Sequence, residues 1–127
     1  MSGVETWGGT GVLVVESEGV LIGGREARDL LAEAFGEGAT MLAVPVGRLE
    51  PAFFDLPSGV AGDILQVSAT YRTRLAIVGD LPEPAASSDA FAALVRESNA
   101  GTQHWFVSSL DALRERLEGQ GSKTTTA

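Results

Sequence analysis

Short apolar runs alternate with helix-length segments through most of this chain, which leaves only a few folds open to it. Met41–Val44, Leu75–Val78 and His104–Val107 have the length and composition of buried strands. The helical segment from Gly24 to Phe35 carries its apolar residues on one stripe: Ala27, Leu30, Leu31, Ala34 and Phe35. Because alternating strands and helices favour parallel strands and right-handed crossovers, we predict an α/β fold with a mixed sheet of four to five strands and about four helices.

The two ends of the chain differ in composition from its middle. Residues 1–11 are rich in glycine and lack apolar periodicity, so we predict a flexible N-terminal arm there. Residues 119–127 predict a disordered tail, which leaves residues 12–118 as a single domain. That domain is predicted to open with an antiparallel hairpin, because only a short turn-like segment separates Val12–Glu16 from Val20–Ile22.

Composition excludes several classes of function. The chain has no cysteine, which excludes disulfides and thiolate chemistry and is typical of proteins in a reducing cytosol. Its net charge of −8 disfavours nucleic-acid binding, since neutralising phosphates requires a basic surface. No apolar run reaches the length of a membrane span. We therefore expect a cytoplasmic protein that binds neither nucleic acid nor membrane.

The sequence also lacks the common cofactor motifs. A nucleotide-binding P-loop needs a lysine directly after its glycines, and no lysine precedes Lys123. The early glycines come before the first predicted strand, which is the wrong order for a dinucleotide-binding fingerprint. His104 is the only histidine, so a His-rich metal site is excluded, and its aromatic neighbours favour a structural role over a catalytic one. We predict no cofactor and no metal site.

The stretch from Phe53 to Gln66 carries the most functional information. Ser58 is predicted to open a helix that extends to about Arg72. The first amides of a helix have no intrahelical partner, and Gly59 and Gly62 would leave them open to an anion, a phosphate or a partner loop. Gly62 inside a helix costs about 1 kcal/mol relative to alanine, which predicts either a binding role or tight packing of the helix on the sheet.

Three aspartates near that helix start form a second group of candidates. Asp55 precedes the helix, Asp63 lies within it, and Asp80 follows a predicted central strand. Since ligands of open α/β sheets gather beyond the carboxyl ends of strands, Asp55 and Asp80 are predicted to face one crevice. Such carboxylates bind divalent cations or act as acid and base, but aspartates also cap turns. Both explanations stay open at this point.

Several sequence blocks resemble a bacterial family known as domain of unknown function 4180. The blocks are Phe53-Phe54-Asp55-Leu56, Ser58-Gly59, Ala61-Gly62, Ile64-Leu65-Gln66, Ala76-Ile77-Val78-Gly79-Asp80, and Glu97-Ser98-Asn99 with Gly101. The resemblance covers most of residues 12–117 and implies no activity.

The order of elements is also similar to the STAS domain, the fold of small anti-sigma-factor antagonists. In that family a loop leads to an Asp-Ser-Ser-Gly-type helix start that kinases phosphorylate and partner proteins recognise. Asp55 and Ser58-Gly59 are the matching positions, with Leu56-Pro57 standing between the aspartate and the serine. The resemblance therefore implies a STAS-like sheet and phosphorylation of Ser58.

Three functions follow from these observations. The first is a non-catalytic STAS-like binding or regulatory module that recognises a protein partner or a small anionic ligand at the helix start. Its candidate residues are Asp55, Ser58, Gly59, Gly62, Asp63 and Asp80. The second is a small-molecule-binding enzyme or biosynthetic accessory protein that uses the three aspartates. The third is a homo-oligomeric interaction protein, such as a homodimer, that uses an exposed sheet edge or Trp105 and Phe106.

Overall fold

The computed structural model describes residues 3–126, with side-chain surroundings defined up to residue 119. The described residues form one mixed five-stranded sheet and four α-helices, which confirms the predicted fold class. The strands are β1 (Gly3–Trp7), β2 (Thr10–Val14), β3 (Met41–Pro45), β4 (Arg74–Val78) and β5 (His104–Val107). The helices are α1 (Gly24–Gly36), α2 (Val60–Thr70), α3 (Asp89–Ala100) and α4 (Leu110–Thr126).

The strands lie side by side in the order in which they occur along the chain. β1 pairs antiparallel with β2, and the pairs from β2 to β5 are all parallel. Each helical connection leads to the next strand on the same side of the previous one. Right-handed connections therefore place α1, α2 and α3 on one face of the sheet. The strand order does not reverse, so the sheet has no topological switch point.

Two apolar cores lie on the two faces of the sheet, because successive strand residues point to opposite sides. The larger core packs α1, α2 and α3 against strand residues such as Leu42 and Ile77. The smaller core packs Leu113 and Leu117 of α4 against the other face, where Trp105 is fully buried. Among the described residues, no helix combines the length and the apolar character needed to cross a membrane.

The first hairpin lies earlier in the chain than the sequence predicts. β1 and β2 pair through a turn at Gly8 and Gly9, whose φ angles are 57° and 81°. Positive φ at both turn residues matches the right-handed twist of hairpin strands, and glycine adopts it without steric cost. The predicted partner strand, Val20–Ile22, is not a strand of this hairpin, and residues 3–11 are not an irregular arm.

The last helix also ends later than the sequence predicts. The backbone of α4 continues to Thr126, whereas the composition of residues 119–127 predicts a disordered tail. Glycine and threonine have low helix propensity, which is why the pattern places the end of the helix near Glu118. Ala127 lies outside the described residues.

Candidate functional site

The start of α2 is exposed, but it begins two residues later than predicted. Ser58 ends a short 3-10 helix, and Gly59 is the N-cap residue, with a φ angle of 83°. The Ser58 hydroxyl donates to the carbonyl of Ala52 at 2.6 Å and accepts from the amide of Val60 at 3.2 Å. Ser58 therefore ties the helix start to the preceding loop through its side chain.

One amide at this helix start is both exposed and without an acceptor. The first hydrogen bond into the helix backbone runs from the amide of Asp63 to the carbonyl of Gly59 at 3.0 Å. The amides of Ala61 and Gly62 have no acceptor in the part of the chain that the structure describes, but Ala61 is completely buried. Only the amide of the exposed Gly62, at the positive end of the helix dipole, is therefore available to an acceptor from outside.

The two glycines of the helix start have different physical explanations. Gly59 has a backbone conformation that side-chain-bearing residues rarely adopt, so the turn itself explains it. Gly62 is exposed, and a Cβ atom added there would meet no atom within 4 Å. Tight packing of α2 on the sheet therefore does not explain Gly62, and its binding role stays a prediction.

The three candidate aspartates form no metal site. Asp63 points toward α1, where its carboxylate lies 3.8 Å from the guanidinium of Arg28. Asp55 and Asp80 are both exposed in separate loops, after β3 and after β4, at the same edge of the sheet. Within residues 3–126 no group of three or more acidic or histidine side chains could hold a metal ion. That Asp55 and Asp80 face one crevice stays a prediction.

His104 is part of a structural link between β5 and α2. Its Nε2 atom lies 2.9 Å from the hydroxyl of Ser68 and 3.0 Å from the carbonyl of Leu65. A carbonyl only accepts, so Nε2 carries the proton in this arrangement. Burial lowers the pKa of His104, and the hydrogen bond to Leu65 opposes that change. Ser68 is completely buried, so no substrate reaches this serine–histidine pair.

A recess lies at the carboxyl ends of β3 and β4, the edge at which the sequence predicts a crevice, but neither Asp55 nor Asp80 lines it. It has a volume of about 390 Å³, and its lining is mostly apolar. The lining residues are Leu21, Val46, Gly47, Leu49, Pro51, Phe54, Pro82, Glu83 and Pro84. The sequence indicates the place of the recess through two proline-containing loops after strands, since loops at that end of a parallel sheet commonly form sites, but it does not indicate the lining.

The recess is connected to the start of α2. The short 3-10 helix Pro51–Phe54 contributes two lining residues, and within it the carbonyl of Ala52 accepts the hydrogen bond from Ser58. We call the recess lining together with residues 55–62 the carboxyl-edge surface. A single loop thus shapes the recess and positions the helix start.

Arg48 fixes the opposite wall of the recess. Its guanidinium donates to the carbonyls of Val20 at 2.9 Å, Glu16 at 2.8 Å and Glu18 at 3.2 Å. These bonds hold the loop between β2 and α1, which carries Leu21 into the lining. A long arginine that satisfies distant carbonyls has no signature in the sequence, so this contact was not predictable.

Trp105 and Phe106 do not form an exposed contact surface. The Trp105 ring is fully buried, with the guanidinium carbons of Arg74 and Arg116 at 4.5 Å and 3.7 Å from its centroid. The Phe106 ring lies 5.9 Å from the ring of Phe91 in an edge-to-face arrangement. The predicted oligomer interface through these two aromatic residues is therefore wrong.

Comparison with known sequences places the chain in a family. The sequence model of the family described as domain of unknown function (DUF4180) matches residues 8–117. The chain belongs to the DUF4180 family. Comparison with curated proteins and with solved structures gave no match.

Most of the blocks that carry the DUF4180 resemblance have structural roles in this chain. Phe53 and Phe54 are buried and stack with Phe91. Asn99 forms two hydrogen bonds with the backbone of β5, and the carbonyl of Gly101 accepts one from the Trp105 indole. The exposed residues of these blocks include Asp55, Ser58, Gly59 and Gly62 around the start of α2, and also Gln66, Asp80, Glu97 and Gly101.

Proposed function

We propose that this member of the DUF4180 family is a non-catalytic binding module that recognises a protein partner at the carboxyl-edge surface. The observation that carries the proposal is the free amide of Gly62 at the exposed start of α2. A partner loop that supplies a carbonyl or side-chain oxygen would satisfy this amide. The adjoining recess adds apolar area, which gives a contact its affinity.

A protein partner fits this surface better than a small anion. Asp55 precedes the helix start and Asp63 lies in its first turn, so two carboxylates stand near the free amide of Gly62. Their negative charge opposes an anion, whereas a neutral carbonyl or hydroxyl of a partner loop is little affected. For this reason we favour recognition of a protein over recognition of a free anionic ligand.

Regulation by phosphorylation of Ser58 is the STAS-like part of the proposal. The Ser58 hydroxyl is exposed, and its bond to the Ala52 carbonyl would be lost on phosphorylation. The phosphate oxygens would then compete with the partner for the amide of Gly62. We also place the module in the bacterial cytoplasm, since a cysteine-free chain suits a reducing compartment.

An experiment with matched glycine variants tests the proposal. Gly62→Gln adds a side chain at the open helix start, and Gly36→Gln adds the same side chain at the end of α1, where it also meets no atom within 4 Å. Each variant is immobilised, exposed to an extract of the native cell, and the retained proteins are quantified by mass spectrometry. We expect one protein to be retained by wild type and Gly36→Gln and lost with Gly62→Gln; identical retention by all three contradicts the proposal.

A further inference from the structure

The recess of the carboxyl-edge surface has the character of a pocket for an apolar side chain. Its volume of about 390 Å³ lies at the low end of the range of roughly 300–1,000 Å³ found for ligand pockets. Leucine, valine, phenylalanine and proline supply most of the lining, and Leu21 is 51% exposed at its wall. An apolar group that entered would cover Leu21 and displace water from this wall.

Acidic side chains dominate the edge of the sheet on which the recess opens. They lie in the loops after β2, β3 and β4, in the connection into α4, or in the first turns of the helices: Glu16, Glu18, Glu26, Glu50, Asp55, Asp63, Asp80, Glu83, Asp89 and Asp111. The basic side chains of the same edge are Arg25, Arg28 and Arg48. Two of these three are already engaged, because Arg28 lies near Asp63 and Arg48 donates to three carbonyls.

The excess of carboxylates determines the charge of a suitable partner. Glu83 lines the recess itself, Glu50 stands beside Leu49 and Pro51 of the lining, and Asp80 precedes the loop that carries Pro82. A surface of one sign attracts the opposite sign and repels its own, which affects both the rate and the choice of partner. An acidic segment or a nucleic acid would be repelled here.

We infer that the partner presents a basic segment with an apolar anchor side chain, and that this anchor fills the recess while lysine or arginine side chains face the surrounding carboxylates. This inference rests on the proposed function and adds the chemical class of the partner. The rigid Arg48-bound loop keeps the Leu21 wall in place before binding, so little ordering is required when the anchor enters.

Selection from a random peptide library, with the full chain as the target, tests this inference. The selected peptides are synthesised, and their dissociation constants for the variants are measured by fluorescence anisotropy. We expect peptides with a net positive charge and a large apolar residue. Leu21→Ser should weaken their binding about tenfold, because the anchor loses an apolar wall, and Glu83→Gln should weaken it about threefold through the lost charge.

The controls are neighbouring or equally charged positions outside the recess. Val20 is 73% exposed but lines a different recess, so Val20→Ser should leave the dissociation constant unchanged. Glu37→Gln removes one charge at the opposite edge of the sheet and should also have no effect. Raising the salt concentration from about 50 mM to about 500 mM should weaken binding to wild type, since exposed charges are screened.

The outcomes separate this inference from the proposed function. Neutral or acidic peptides that bind wild type and lose affinity with Gly62→Gln but not with Leu21→Ser would overturn the inference and leave the proposed function intact. Peptides that are insensitive to both substitutions, or lose affinity only with Phe35→Ser at the far end of α1, would overturn both. A selection that enriches no peptide also overturns the inference.

Discussion

At the start of α2, two glycines three residues apart meet different physical demands. Gly59 has a φ angle of 83°, a conformation that costs a side-chain-bearing residue about 1–2 kcal/mol. Gly62 lies within the helix in open space, where any side chain fits and glycine is the less stable choice. The free energy of unfolding therefore distinguishes a glycine required by the backbone from one that is not.

We expect the two alanine variants to change stability in opposite directions. Gly62→Ala should raise the free energy of unfolding by about 0.5–1 kcal/mol, because alanine loses less backbone entropy in a helix. Gly59→Ala should lower it by about 1–2 kcal/mol. Urea denaturation measures both, and a loss of stability in Gly62→Ala would mean that its surroundings are not open.

His104 makes the stability of the folded chain depend on pH, and the direction of its pKa shift sets the sign of that dependence. Burial lowers its pKa in the folded chain below the value of about 6.5 expected after unfolding. At a pH between the folded-state and unfolded-state pKa of His104, the unfolded chain binds more protons than the folded chain. The contribution of neutral His104 to stability is therefore complete above pH 6.5 and is lost as the pH falls toward the folded-state pKa.

The variant His104→Gln isolates that contribution, since the chain has no other histidine. We expect the urea midpoint to decrease when the pH is lowered from about 7.5 to about 5.5. The decrease should be larger for wild type than for His104→Gln. The carboxylates are the same in both proteins, so their contribution to the change in urea midpoint cancels in the comparison. Parallel pH profiles would show that His104 has the same pKa in the folded and unfolded chains.

At the scale of single residues, the sequence predicts which positions are exposed but not which side chains contact them. Ser58, Gly59 and Gly62 are exposed at a helix start, as their residue types predict. The ion pair of Asp63 with Arg28 joins two helices far apart in sequence, and only the crossing of α1 and α2 brings them together. Side-chain pairing across elements depends on packing, which a single sequence does not encode locally.

At the scale of elements, Asn99 completes the exposed edge of the sheet. Its side-chain nitrogen donates to the carbonyl of Phe106 at 3.1 Å, and its side-chain oxygen accepts from the Phe106 amide at 2.7 Å. β5 has only β4 as a neighbouring strand, so these bonds satisfy backbone groups that face outward. A covered edge is less able to pair with a strand of another molecule.

Removal of the Asn99 amide should weaken this edge. We expect Asn99→Ala to lower the free energy of unfolding by about 1–3 kcal/mol, since two partly buried hydrogen bonds are lost. The amide of Phe106 should then exchange faster with deuterium. Ser98→Ala is the control, because no hydrogen bond is formed by the Ser98 side chain in the described residues. Equal stability of the two variants would contradict the role of Asn99 in stabilising the β5 edge of the sheet.

The elements themselves were largely predictable, and the errors have identifiable causes. Strands β3 and β4 consist mainly of continuous apolar residues, which is typical of strands buried on both faces. The sequence misplaces the first hairpin, because Gly8 and Gly9 indicate a flexible segment by composition but form a tight turn. Phe35 continues the apolar stripe of α1 but is 74% exposed, whereas Ala34 beside it is fully buried.

At the scale of the whole molecule, the two faces of the sheet are covered unequally. Three helices cover one face, and within the described residues α4 is the only helix on the other. Leu113 and Leu117 are buried there, while Leu110 at the first turn is 39% exposed. The smaller core therefore depends on a few side chains of one helix.

We expect Leu113→Ala to be among the more damaging core substitutions. It should lower the free energy of unfolding by about 2–5 kcal/mol, because a cavity forms that the neighbouring Trp105 cannot fill. Leu110→Ala removes the same atoms from a partly exposed position and should cost much less. Thermal denaturation of both variants measures the difference, and similar losses would contradict the assignment of the second core to α4.

The carboxyl-edge surface could be predicted only in part, because it combines a local signal with a non-local one. The helix start is local and follows from Ser58, Gly59 and Gly62 in the sequence. The recess forms where the loops after β2, β3 and β4 meet, and it depends on strand order and on Arg48. The proposal of a protein partner uses both features, which are connected through the carbonyl of Ala52.

Mapping of a bound peptide by NMR tests the location of this surface most directly. The uniformly ¹⁵N-labelled chain is titrated with a peptide from the library selection, and the shift of each amide resonance is recorded. We predict the largest changes at the amides of Ala61 and Gly62 and around the recess at Leu21 and Gly47. Changes centred on Phe35 and Tyr71, at the opposite edge of the sheet, would contradict the account.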